Sequence, residues 1–174
     1  MKKFLALALS LTLAAAAAAD TWPSRPIKYI VPFGAGGSTD TLSRVVAERL
    51  QQRLGQPVVI ENIGGVGGSI GMARLSRAIP DGYTIGLGNT ATHAITPNIQ
   101  PVEPYDPITG FTPITLLAEY NNVLVVNAAM PAKDLAEFIA LAKHSEKPLT
   151  YGSSGAGSSN HLTSELLAKG YGNY

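Results

Sequence analysis

The chain has 174 residues, with 13 Lys and Arg, 12 Asp and Glu, and no Cys. A formal net charge of +1 provides no basic surface for phosphate backbones, which disfavours a nucleic-acid binder. The absence of Cys excludes disulfide scaffolds, thiolate zinc sites and cysteine nucleophiles. Hydrophobic residues make up 45% of the chain, and 18 Gly and 12 Pro are spread between the apolar runs. This composition predicts a folded, turn-rich protein.

Residues 1–19 have the pattern of an export signal. Lys2 and Lys3 precede an uncharged apolar run at 4–13, and an alanine stretch ends at Ala19. Small residues in this arrangement are typical of a signal peptidase site. A transmembrane anchor is the alternative, but it needs about 20 apolar residues, whereas this run weakens into alanine and no stop-transfer pattern follows. We expect cleavage near Ala19 and export of the mature chain.

Strands alternate with helices along residues 20–100. Runs of β-branched and aromatic residues predict strands at 27–33, 58–62 and 83–88. Apolar side chains at helical spacing predict helices that end near Leu54 and Ala78, and a polar loop at 89–93 opens a further short helix. Alternation of this kind predicts an α/β fold with a largely parallel sheet. For the first helix we expect a cap from Ser38, Thr39 or Asp40 and a C-terminal residue at Gly55.

The chain changes character at a proline-rich segment. The segment from Pro97 to Pro113 contains five prolines, counting both ends, and sustains no periodicity. We therefore predict a crossover at 101–113 between a first lobe at 20–100 and a second lobe at 114–174. In the second lobe the pattern predicts strands at 115–120, 123–127 and 149–152, and helices at 135–143 and 161–169.

Two glycine-serine loops of similar sequence each precede a helix. The first loop is Gly34-Ala35-Gly36-Gly37-Ser38-Thr39, and the second loop is Gly155-Ala156-Gly157-Ser158-Ser159-Asn160. At a helix N-terminus several backbone N–H groups lack an intrahelical acceptor and the macrodipole is positive. Glycine lets a ligand approach the backbone, and hydroxyls add donors. Two such loops on one ligand predict an anion site, although each alone is equally consistent with a capped tight turn.

A rival interpretation makes the protein a secreted serine hydrolase. The segment 67–71, Gly-Gly-Ser-Ile-Gly, matches the G-x-S-x-G nucleophile elbow, with Ser69 as nucleophile, Asp81 or Asp106 as the acid and His161 as base. An elbow requires a sharp turn directly at the strand end, whereas Ser69 lies seven residues beyond the second predicted strand. The match is therefore weak evidence.

The histidines do not form a metal motif. His93, His144 and His161 are far apart, and none belongs to a pair at ligand spacing. His93 and His161 each follow a polar loop at a predicted helix start, which allows a hydrogen bond to a ligand, although a structural role is the commoner one. Asp40 either caps the first helix or selects ligand polarity, and we favour the cap. Neither a metal nor a cofactor is expected.

A series of motifs keeps one order along nearly the whole chain after residue 19. The early motifs are Trp22-Pro23-x-Arg25-Pro26-Ile27, Val31-Pro32-Phe33 and Leu54-Gly55-Gln56-Pro57-Val58-Val59. The later motifs are Gly67-Gly68-x-Ile70-Gly71, Pro80-Asp81-Gly82-Tyr83-Thr84, Tyr105-Asp106-Pro107 and Gly155-x-Gly157-Ser158-x-x-His161-Leu162. In these motifs the sequence resembles the Bug receptors, the extracytoplasmic substrate-binding proteins of tripartite tricarboxylate transporters.

The resemblance implies a two-lobed α/β architecture, similar to type II periplasmic binding proteins, hinged around a ligand cleft. Such a receptor works in the periplasm as a monomer, performs no chemistry, and hands a small carboxylate to integral membrane permease subunits. Family members run to about twice the length of the mature chain. We therefore expect an N-terminal fragment in which the second lobe is incomplete.

The expected ligand is a small organic anion, with a dicarboxylate or tricarboxylate favoured. Amides of the two glycine-serine loops and their neighbouring hydroxyls would hold the carboxylates, while Asn89 and Thr90 would close a third side. The predicted ligand set is Phe33, Gly36, Gly37, Ser38, Thr39, Asp40, Asn89, Thr90, His93, Ser153, Ser154, Gly157, Ser158, Ser159 and His161.

Overall fold

The computed structural model describes residues 21–102, 104–154 and 156–171. The predicted export signal at 1–19 lies outside these residues. Within the three described ranges, no helix combines the length and the apolar character needed to cross a membrane.

Three parallel strands form the sheet: β1 (Ile27–Val31), β2 (Val58–Asn62) and β3 (Thr84–Gly86). β1 is central, in the order β2-β1-β3, with Ile27 opposite Val58 and Lys28 opposite Thr84. Four of its five residues are buried, as expected of a strand covered on both faces. β1 ends before Pro32, which has no N–H to donate to a neighbouring strand. The predicted parallel arrangement of the first three strands is confirmed.

Helices follow each strand and continue into the second half of the chain. They are α1 (Ser38–Leu54), a 3₁₀ turn (Val66–Gly68), α2 (Ser69–Ser76), a π-helical turn (Ala91–Ile95), α3 (Thr96–Ile99), α4 (Leu135–His144) and α5 (Ser159–Tyr171). Gly55 ends α1 in the left-handed conformation, at φ 68°, and its N–H donates to the carbonyl of Gln51. The predicted C-terminal glycine is thereby confirmed.

The core has two parts, one on each face of the sheet. On the α1 face, Ile27 and Tyr29 pack with Ala47, Val58 and Leu87. On the α2 face, the buried cluster is formed by Met72, Ala73 and Tyr105. The Tyr105 hydroxyl donates to the carbonyl of Thr92 at 2.5 Å, which joins the segment after α3 to the π-helical turn. The sheet is therefore held between α1 and α2.

The strands predicted at 115–120, 123–127 and 149–152 are wrong. No residue in these ranges belongs to a sheet, because a strand requires a hydrogen-bonded neighbour and no described segment pairs with them. Their apolar side chains are exposed, with Val123 at 77% and Val125 at 81% of full exposure. The division into two lobes at 101–113 stays a prediction.

Gly71 lies where α2 packs closely against the residues that follow β1 and β2. A Cβ at this position would lie 2.7 Å from the Ile63 carbonyl oxygen and 2.9 Å from Pro32 Cα. Both are backbone atoms, so the helix would have to shift. Gly to Ala in an exposed helix normally stabilises by about 0.5–1 kcal/mol. We expect Gly71→Ala instead to lower the free energy of unfolding by about 1–3 kcal/mol, as overpacking does.

Urea unfolding followed by circular dichroism measures this effect. Gly170→Ala in α5 is the matched control, because no atom lies within 4 Å of its added Cβ. The control should be as stable as the unaltered protein or slightly more stable. Equal stability of the two variants would contradict the close packing of α2 on the sheet.

Candidate functional site

The candidate site lies at the carboxyl edge of the sheet. Because the strands are parallel, all three end at this edge, with Val31 opposite Asn62 and Ile30 opposite Gly86. Each strand is followed by a loop that leads into a helical segment. Ligands of open parallel sheets bind in the crevice outside the carboxyl ends of the strands. The topology therefore brings several helix N-termini to one edge.

The first loop enters α1 through glycine. Gly37 is the N-cap, in an extended conformation and without a side-chain cap bond, so the predicted capping by Ser38, Thr39 or Asp40 is wrong. These three residues already belong to the helix, whose first backbone bond runs from the Thr41 N–H to the Gly37 carbonyl at 2.9 Å. The preceding amides lack an intrahelical acceptor. This end of α1 is thus rich in backbone donors.

Asp40 lies in the first turn of α1 and its side chain is buried, at 3% exposure. Its Oδ2 atom accepts from Arg44 Nε at 2.9 Å and from the Gly36 N–H at 2.8 Å. Its Oδ1 atom accepts from Asn62 Nδ2 at 3.0 Å. The Arg44 hydrogen bond, followed by those of Gly36 and Asn62, lowers the pKa of Asp40 from 3.8 to about 2. The Gly36 amide, which we predicted to face a ligand, therefore already has a partner inside the protein.

Asn62 is a residue that the sequence analysis missed as part of the site. It is the last residue of β2, and its Nδ2 donates to the Phe33 carbonyl at 3.1 Å as well as to Asp40. The sequence did contain one indication of this role, because Asn62 ends the second predicted strand, which pairs beside the end of the first. Phe33 itself is buried at 8% exposure, and its carbonyl, rather than its ring, receives this bond.

The loop after β2 lies between the two glycine-serine loops. A Cβ on Gly64 would lie 3.4 Å from the Gly34 nitrogen, and a Cβ on Gly157 would lie 3.2 Å from Gly67 Cα. Gly67, with φ 62°, and Gly157, with φ 81°, adopt the left-handed region that favours glycine. The structure therefore brings all three loops into contact through bare backbone.

Ser69 does not have the environment of a nucleophile. It begins α2 and is 3% exposed, and its Oγ atom has no hydrogen-bond partner among the described residues. An activated serine requires a base within hydrogen-bond reach. His161, the base of the rival interpretation, instead accepts from the Gly157 N–H through Nδ1 at 3.3 Å. The geometry does not support the hydrolase interpretation.

The loop after β3 is organised by Asn89 and Thr92. The Asn89 N–H donates to Thr92 Oγ1 at 3.0 Å, and the Thr92 N–H donates to Asn89 Oδ1 at 3.2 Å. Thr90 is exposed between them. His93 Nδ1 lies 2.9 Å from Thr92 Oγ1, and burial lowers the pKa of the imidazole. This burial favours the uncharged form of His93.

The second loop is held by Asn160, another residue absent from the predicted ligand set. Its Oδ1 accepts from Ser154 Oγ at 3.0 Å, from Ser158 Oγ at 2.7 Å and from the His161 N–H at 3.1 Å. Ser158 is buried, Ser159 begins α5 and Ser153 is exposed. Gly155 lies outside the described residues. The hydroxyl of Ser154, a predicted ligand donor, and the hydroxyl of Ser158 are thus engaged within the loop.

A basic cavity lies away from this edge. It has a volume of about 670 Å³ and includes Lys28 and Thr84 near the amino ends of their strands. Two of its cations are paired with the same carboxylate, since Glu61 lies 3.0 Å from Lys28 and 2.7 Å from Arg74. We assign the candidate site to the loop edge, where unbonded helix amides converge, rather than to this cavity.

Loops and helix N-termini gathered at one sheet edge are common to open α/β folds, and the solved structures that match the chain are periplasmic binding proteins. The profile of the tripartite tricarboxylate transporter family receptor, TctC, matches residues 42–173. The chain belongs to this family, which consists of solute-binding receptors rather than enzymes.

Three relatives illustrate the similarity. BugT of Bordetella pertussis is 39% identical over 151 residues, which are 86% of this chain and 46% of BugT. The structure of Rpa4515 of R. palustris with adipate is 36% identical with a TM-score of 0.81, over 87% of this chain and 52% of that one. MatC from Rhodopseudomonas palustris with bound malate is 30% identical with a TM-score of 0.67, over 88% and 60%. The chain spans about half the length of the curated relatives it matches.

The depressed pKa of Asp40 makes the stability of the site dependent on pH. The ionised carboxylate stabilises the fold at pH values above 3.8, its ordinary pKa, and this contribution is lost as the pH falls through about 2. We expect the stability advantage of the unaltered protein over Asp40→Asn to be constant from pH 8 to 5 and to shrink below pH 4. Urea unfolding at a series of pH values checks this expectation. An advantage that persists unchanged down to pH 2 would contradict it.

Proposed function

We propose that the protein containing this chain captures a small organic anion, a dicarboxylate or tricarboxylate, in a cleft at the carboxyl edge of the sheet. The observation that carries the proposal is the convergence of loop backbone and helix N-termini at this edge. Backbone amides at a helix N-terminus favour a bound anion. Relatives whose structures hold adipate and malate support the carboxylate class.

The start of α1 is proposed to bind one carboxylate. The amides of Gly37, Ser38 and Thr39 precede the first intrahelical bond, and Ser38 is exposed. Asp40 is already paired with Arg44 at 2.9 Å, so this end of the helix carries no uncompensated negative charge. Carboxylate binding here uses backbone dipoles rather than a dedicated cation.

The start of α5 is proposed to bind a second carboxylate. Asn160 holds the hydroxyls of Ser154 and Ser158 and the amide of His161, which leaves the amides of Ser159 and Asn160 and the half-buried Ser159 hydroxyl as the nearest donors. Asn89 and Thr90 of the loop after β3 are proposed to close the third side. Two anion positions favour a ligand with at least two carboxylates.

Delivery to a transporter is the second half of the proposal. The receptor would be exported by the signal at 1–19, bind its ligand in the periplasm as a monomer, and pass it to integral membrane permease subunits. Capture and release would require two lobes that close around the ligand about a hinge. Family membership supports this role.

Calorimetric titration of the whole protein with ligands of matched length tests the ligand class. Adipate, 1,6-diaminohexane and 1,6-hexanediol share a six-carbon chain and differ in charge, and malate and citrate extend the panel. We expect heat of binding only from members with two or three carboxylates. Binding of the diamine or the diol, with none of the carboxylates, would overturn the proposal.

A charge placed at the start of α1 tests the position of the site. Ser38→Asp adds a negative charge at a helix N-terminus, which stabilises the helix by about 0.3–1 kcal/mol, but it should repel a bound carboxylate. We expect the affinity for the best dicarboxylate to fall about tenfold or more while the melting temperature stays equal or rises.

Gln52→Asp is the matched control, because it adds the same charge in the last turns of α1. This variant should bind the dicarboxylate as the unaltered protein does. Equal affinity of Ser38→Asp and Gln52→Asp would exclude the start of α1 as the carboxylate position.

A further inference from the structure

The surroundings of the Asp40 carboxylate consist of hydrogen-bond donors. The Gly36 N–H, the Arg44 Nε–H and the Asn62 side-chain amide approach its two oxygens at 2.8, 2.9 and 3.0 Å. Only an acceptor can satisfy three converging donors, and an ionised carboxylate accepts with both oxygens. The side chain is buried, so water does not replace a lost partner easily.

Asn62 connects this cluster to the sheet. Its Nδ2 donates to two acceptors, the Phe33 carbonyl at 3.1 Å and Asp40 Oδ1 at 3.0 Å. Both bonds require the NH₂ group, which fixes the orientation of the amide. Since Asn62 ends β2 opposite Val31, the two bonds tie the beginning of the first loop and the first turn of α1 to the end of a neighbouring strand.

We propose that Asp40 and Asn62 form a positioning pair that holds the first loop in its binding conformation and turns Gly36 away from the ligand. This inference rests on the proposed function. The Asp40 carboxylate accepts the Gly36 N–H in place of a ligand carboxylate. The donors left for the ligand are then the amides of Gly37, Ser38 and Thr39. Neither residue of the pair touches the ligand in this arrangement. The low pKa of Asp40 keeps the carboxylate ionised throughout the neutral range.

The choice of aspartate follows from the donor set. Asparagine has the same shape but only one acceptor oxygen, and its NH₂ group would face at least one of the three donors. The hydrogen bond from Gly36 joins residues four apart in sequence, and the hydrogen bond from Asn62 joins residues 22 apart. Loss of the Gly36 bond would free the loop from α1, and loss of the Asn62 bond would free α1 from β2. A displacement of about 1 Å in a binding group is enough to weaken binding strongly.

The test compares Asp40→Asn, Asn62→Ala and Arg44→Lys in the whole protein. Arg44 is the control, because it contacts the same carboxylate from one turn further along α1 and is 57% exposed, but does not join the loop to the strand. Two readouts are needed: the affinity for adipate by calorimetry, and hydrogen exchange of the Gly36 amide by NMR. The melting temperature of each variant reports whether it folds.

We expect Asp40→Asn and Asn62→Ala to lose about tenfold or more in adipate affinity and to accelerate Gly36 exchange by a similar factor. Arg44→Lys should keep both within about threefold, because lysine retains the positive charge beside Asp40. Unchanged affinity and slow Gly36 exchange in Asp40→Asn would overturn the inference, as would an equal loss in all three variants, which indicates a general effect on α1.

Failure of the proposed function gives a different result. If the unaltered protein binds no carboxylate, the proposed function is refuted, and Asp40 and Asn62 cannot position the loop for a carboxylate ligand. Exchange of the Gly36 amide in the folded variants would still decide whether Asp40 and Asn62 hold the loop.

Discussion

Parallel pairing of β1 with both of its neighbours is the constraint on which the rest of the structure depends. It places the ends of β1, β2 and β3 at one edge, so that the three following loops must lie side by side. Each loop then enters a helical segment with its positive end toward this edge. The proposed anion site uses this topology and needs no fixed cation in the loops.

The loops share one physical device, an Asx side chain that ties backbone and hydroxyl groups together. Asp40 and Asn62 hold the first loop, Asn89 holds the loop after β3, and Asn160 holds the second loop. Short polar side chains of this kind form hydrogen bonds with loop groups that have no partner in a helix or a sheet. Rigidity of the loops lowers the ordering cost on binding, which favours affinity. The same bonds occupy groups such as the Gly36 amide, which the glycine-serine pattern had assigned to a ligand.

Local patterns predicted much of the fold, and long-range contacts decided what they missed. The apolar periodicity of α1, its terminal Gly55 and the three strands of the sheet were predicted because each depends on a few adjacent residues. Asn62 was missed because its role arises from strand register, 22 residues from Asp40 in sequence. The strands predicted around Val123 were wrong because an apolar run becomes a strand only beside a partner. The predicted caps, Ser38, Thr39 and Asp40, lie one to three positions inside the helix, since Gly37 is the residue that precedes it.

The central claim is that one carboxylate ligand bridges the helix N-termini at the carboxyl edge of the sheet. Backbone amide NMR of the whole protein during titration with adipate tests it most directly. The account predicts that the largest shift changes fall on the amides of Gly37, Ser38 and Thr39 and on the first turn of α5, with saturation at a single midpoint. Changes centred on Lys28, Arg74 and Thr84, with the loop amides unaffected, would contradict it and place the ligand in the basic cavity.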